Sequence, residues 1–153
     1  MVVPGTHRGP VLSHHSGGVF CGAVDPDDPL FARDRIVTLT GRAGDMTVHH
    51  ARTLHGSAPN NSARNRMILF YELAAADAWP LAGSNGYFHR LDQAALWQDV
   101  QDRMVTGVPC LAPRLAEVPV LLPLPPAPDT SSIFRMQESG GARSAFAREE
   151  GAS

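Results

Sequence analysis

His55-Gly56-Ser57-Ala58-Pro59-Asn60-Asn61-Ser62, followed after three residues by Arg66-Met67-Ile68-Leu69-Phe70-Tyr71-Glu72-Leu73, is the stretch on which the reading of the fold turns. Its second half has strand composition, and period-two alternation puts Arg66, Ile68, Phe70 and Glu72 on one face and Met67, Leu69, Tyr71 and Leu73 on the other. Both faces are largely apolar, which predicts a strand covered on two sides. The first half is loop by composition, entered from the extended Thr53-Leu54-His55. His55 therefore stands at a strand end, and Arg66, eleven positions on, heads the next strand.

Upstream, Arg35-Ile36-Val37-Thr38-Leu39-Thr40 is rich in β-branched residues and predicts another strand, closed by the turn Gly41-Arg42-Ala43-Gly44-Asp45. Met46 to His50 resumes the alternation, with Met46, Val48 and His50 against Thr47 and His49, so His49 and His50 cannot both point inward. The first thirty residues are loop with short extended pieces: from Pro4 to Pro29 there are four prolines, five glycines and the acidic turn Asp25-Pro26-Asp27-Asp28-Pro29.

Downstream the period changes. Leu96, Trp97, Val100 and Met104 recur at three to four, with Asp92 placed to cap and Gly107 and Pro109 to stop, which predicts a packing helix over 91–107. Seven prolines between Pro109 and Pro128 exclude a central strand there. From Asp129 on, a Ser, Gly, Glu and Arg composition reads as a disordered tail with a short extended piece at Ile133–Met136.

The 153 residues carry thirteen basic and fifteen acidic groups, a net charge of −2, without a long run of either sign. Neither a nucleic-acid surface nor an anionic-membrane surface is expected. Every basic residue is arginine, which removes chemistry that needs a Schiff-base or phosphate-binding lysine. A mean hydropathy of −0.14 and the start MVVPGTHRGP, which lacks an apolar signal-peptide core, set a cytoplasmic expectation. Cys21 and Cys110 have no CxxC partners and read as reduced thiols.

A neutral imidazole such as His55 is a good Fe(II) ligand, and an arginine one strand away presents a planar fork to a carboxylate. A hydroxyl such as Ser57 adds a further hydrogen bond. Together they suit a ligand that chelates a metal at one end and carries a carboxylate at the other, as 2-oxoglutarate does, inside a barrel of short antiparallel strands.

These residues, with Pro4-Gly5-Thr6-His7 upstream and Gly44-Asp45 before the strand leading to His55, resemble the phytanoyl-CoA dioxygenase family of Fe(II)/2-oxoglutarate oxygenases over about residues 2–80. The resemblance implies a mainly β fold, the C-terminal half of a double-stranded β-helix (jelly-roll or cupin-like) over 1–90, followed by the packing helix and the proline-rich tail of 108–153. It implies His55 as the distal metal ligand, Arg66 as the clamp on the distal carboxylate of 2-oxoglutarate and Ser57 as its helper. It implies Fe(II) as cofactor, 2-oxoglutarate as co-substrate and a small-molecule substrate. In that family O₂ reacts at the iron, 2-oxoglutarate is decarboxylated to succinate, and a C–H bond is hydroxylated.

The family's other two ligands form an HxD pair upstream of the PGSH-like turn. Position two after each of the seven histidines here holds Gly9, Ser16, Gly17, Ala51, Arg52, Ser57 or Leu91, so none forms H-x-D/E. The expectation is a truncated domain with one of three ligands, inactive by itself. Its alternative is a non-catalytic barrel half that binds or self-associates through its exposed inner face, giving a homo-oligomer. A zinc hydrolase built on His49, His50 and His55 lacks HExxH and a nearby Glu base, and no G-x-S-x-G serves a serine hydrolase. His14 and His15, in the proline- and glycine-rich loop, are candidate substrate contacts.

Overall fold

The structure, a computed structural model, describes residues 1–78, 93–115 and 133–147. They fall into two compact units, one made of Met1–Arg66 with residues 133–147, the other beginning at Met67 and including 93–115.

In the first unit the segment at Val2 is paired on both sides. Val2 and Val37 exchange both backbone hydrogen bonds (2.9 and 2.8 Å), the signature of an antiparallel hydrogen-bonded pair, and Val2 also bridges antiparallel to His55. Val3 N–H donates to the Leu54 carbonyl at 2.9 Å and Gly56 N–H to the Met1 carbonyl at 3.1 Å. This narrow strip fixes where His55 stands. Beneath it lies the core: Val3, wholly buried, with Leu12, Val24, Phe31, Ala145 and Phe146, flanked by Ile36 and Leu54. Phe31 and Phe146 meet edge to face at 5.9 Å, a favourable quadrupole arrangement.

A hairpin of β1 (His15–Ser16) and β2 (Val19–Phe20) turns at Gly17 and Gly18. Both have positive φ, which a two-residue primed turn demands. The acidic segment, read as a turn, is closed by its own side chains, with the Asp25 and Asp28 carboxylates accepting from the N–H groups of Asp27 and Leu30. The Gly41–Asp45 turn also forms, closed by Asp45 N–H on the Arg42 carbonyl.

Three expected strands are not regular strands. The 35–40 segment opens at the end of a 3-10 turn (Arg33–Arg35) and, among the described residues, pairs only at Val37. Met46–His50 and Met67–Leu73 have no ladder partner among the described residues, and their apolar side chains are exposed, Met67 to 91% and Val48 to 86%. The physical reason is that alternation fixes which face a side chain takes, whereas a strand forms only when a neighbour's N–H and C=O groups complete its ladder.

The tail is also corrected. Residues 133–136, read as extended, belong to the α-helix Ile133–Ser139, which ends on Gly140 and Gly141. Arg, Met, Gln and Glu favour the helix, and Gly141 takes the positive φ of a helix stop. Gly140 packs on Cys21, where an added β-carbon would lie 3.2 Å from the Cys21 Cβ, and its carbonyl accepts from Ser16 Oγ. Phe146, in the tail read as disordered, is a core residue.

In the second unit the helix expected over 91–107 spans Gln93–Asp102, and the candidate cap Asp92 lies outside the described residues. It is fastened by Arg103 on Asp99 one turn back (2.9 Å) and by Gln98 on Asp102. Arg114 joins Asp77 twice, through its backbone N–H (2.9 Å) and its guanidinium (3.1 Å). Cys21 is a buried free thiol. No described helix is long and apolar enough to cross a membrane.

Candidate functional site

A cavity of about 400 Å³ opens in the first unit between the segments around Leu12, Val24, 51–57 and 137–146. His14, Arg52, His55, Ser57, Arg143 and Phe146 supply most of its chemistry. Two of the three expected site residues, His55 and Ser57, thus share one wall. Arg66 does not line it; its Nη1 donates to the Ala58 carbonyl at 2.9 Å, in the loop after His55.

His55 is held by two neighbours. Its Nδ1 lies 2.7 Å from the Thr53 carbonyl oxygen, which only accepts, so Nδ1 carries the hydrogen. In the neutral ring the lone pair then sits on Nε2, the tautomer that presents a metal-binding nitrogen while the other nitrogen is anchored to backbone. Its ring is 4.5 Å from that of His49. The His49 imidazole is held below the usual histidine range, first by loss of solvation, then by the charge of His55 and of the α-amino group.

His49 and His50 take different neighbours, and neither lines the cavity: His50 lies 5.6 Å from His7, ring to ring. The His50 Nδ1 accepts the Arg52 backbone N–H at 3.1 Å, so its neutral ring is hydrogenated on Nε2, the reverse of His55. His14 reaches the cavity with Nδ1 on the Leu12 carbonyl (2.8 Å), whereas His15 is taken into β1 and packs edge to face on Phe20.

Sequence reading passed over Arg52 and Phe146. Arg52 follows the His49-His50 pair and was hidden by it, although a cation three residues before a candidate ligand was a usable signal. Phe146 is an isolated aromatic in a polar tail, which composition averages away.

Among the described residues no set of three His, Cys, Asp or Glu side chains can hold a metal ion. An iron bound at His55 requires two more protein ligands that these residues do not supply, so they do not by themselves fit a facial triad.

The family model of phytanoyl-CoA dioxygenase (PhyH) matches residues 1–68, which include His55, Ser57 and Arg66. A protein of Stutzerimonas stutzeri named as a probable alpha-ketoglutarate-dependent hypophosphite dioxygenase is 38% identical over 141 residues. The match takes in 90% of this chain and 46% of that protein, so the chain spans about half the length of the relative. No solved structure matches the chain.

Proposed function

We propose that the chain, whose residues 1–68 match the phytanoyl-CoA dioxygenase family model, forms part of an Fe(II)/2-oxoglutarate-dependent oxygenase acting on a small molecule. His55 is its distal metal ligand, Arg66 its clamp on the far carboxylate of 2-oxoglutarate, and Ser57 a hydrogen-bonding helper to that carboxylate. One observation carries the reading: the Thr53 carbonyl fixes the His55 hydrogen on Nδ1, which leaves Nε2 as the donor atom. The relative's printed dependence on alpha-ketoglutarate supports the same co-substrate.

The described residues do not complete the metal site, so no step through iron is assigned to them. What this chain does is positional. Thr53 orients the imidazole, Phe146 packs on the glycine after it, and Arg66 offers the guanidinium edge not engaged by Ala58 to a carboxylate. A cavity of about 400 Å³ suits a small substrate rather than an acyl-CoA thioester.

In this reading the missing ligands and strand partners come from a polypeptide equivalent to the part of the relative that the chain does not match, completing a double-stranded β-helix. The test is succinate formation from 2-oxoglutarate with Fe(II). The chain alone is expected to give none, and the chain mixed with that portion of the relative to give some. Turnover by the chain alone would overturn the shared-site reading.

A second reading is favoured by the exposure of Met67 to Leu73, where Leu69 and Leu73 are 75% and 79% exposed. Here the chain is a non-catalytic barrel half that self-associates through that edge. A stable monomer by size exclusion would end this reading.

A further inference from the structure

The cavity beside His55 is lined by two arginines and two histidines and by no aspartate or glutamate. The arginines differ in what already meets their charge. Arg143 is engaged by the carboxylates of Asp25 and Asp27. Arg52 has no carboxylate partner among the described residues. Its Nη2 donates to the Gly9 carbonyl at 2.6 Å, which holds the guanidinium in place without neutralising it. Its Nε is shielded from water and has no hydrogen-bond partner among the described residues.

A charged donor withdrawn from water and left without an acceptor is unfavourable, and such groups in folded proteins call for an explanation. An anion in the cavity would meet that charge, and the guanidinium fork matches the spacing of two oxygens on one centre. A neutral guest would leave the positive charge unmet.

We propose that this cavity binds a small oxoanion against Arg52. The chemistry is shared by a tetrahedral phosphorus oxoanion and by the carboxylate of a small organic acid. The inference deepens the oxygenase reading and rests on it for a role in turnover, but its test reads binding alone, so either can fail without the other.

The chain is titrated separately with sodium phosphite and with sodium acetate while the Arg52 Nε–H resonance is followed by NMR, with sodium chloride at equal ionic strength as the control. The resonance is expected to move and saturate with one of the two and to stay in place with chloride; the active titrant names the source. Arg52→Gln is expected to weaken binding about tenfold or more, Arg52→Lys less so, and Arg42→Gln, in the exposed turn, not at all. If Arg52→Gln does not fold, the wild-type Nε resonance decides. An Nε signal unmoved by both titrants, or Arg52→Gln binding as tightly as wild type, overturns the proposal.

Discussion

Phe146 lies against Gly56 so closely that a β-carbon at residue 56 would sit 2.5 Å from the ring's Cδ2 and 2.7 Å from its Cε2. A residue ninety positions away in sequence thus packs on the backbone next to His55, and only a glycine admits it. Gly56→Ala is expected to destabilise the chain by about 1–3 kcal/mol through overpacking, and Phe146→Ala by about 3 kcal/mol through the cavity it leaves. The two effects share one contact, so the double variant should lose clearly less than their sum in urea unfolding. Strict additivity would mean that the contact does not exist in solution.

The two histidines with opposed tautomers give a second expectation. In long-range ¹H–¹⁵N spectra recorded at about pH 8, where imidazoles are neutral, His55 should show its hydrogen on Nδ1 and His50 on Nε2. The same tautomer at both would remove the argument that Thr53 prepares His55 as a ligand.

Much of this was legible from residue types alone. The loop after His55, the Asp25 and Gly41–Asp45 turns and the helix around Val100 follow from local chemistry, since each is closed by bonds within a few residues. His55 and Ser57 meet at one cavity because they are two residues apart on an extended segment. The 35–40, 46–50 and 67–73 segments carry the alternation without a regular ladder among the described residues, because a strand is a property of two segments, and alternation describes only one. The tail is not legible for the opposite reason: Phe146 and Ala145 bury themselves against a core whose other members, Val3, Leu12, Val24 and Phe31, are all within the first thirty-one residues. No local pattern announces such a contact.

The exposed 67–73 segment sets a third expectation. With Phe70 and Tyr71 70% and 79% exposed and no ladder partner among the described residues, the purified chain should associate as its concentration rises. Phe70→Lys, which places a charge on that edge, should shift the population toward monomer in sedimentation velocity. A wild-type chain that stays monomeric at every concentration would show that this edge needs no partner.

The measurement closest to the central claim is the rate of succinate formation from 2-oxoglutarate, with Fe(II), by the chain combined with the unmatched portion of its Stutzerimonas stutzeri relative. Wild type, His55→Ala and Arg66→Gln are compared. The expected result is turnover for wild type, none for His55→Ala, and for Arg66→Gln a requirement for about tenfold or more 2-oxoglutarate, as the loss of a charged hydrogen-bonding fork implies. Turnover undiminished by His55→Ala, or no turnover in any combination, would contradict the assignment of His55 as a ligand in a shared oxygenase site.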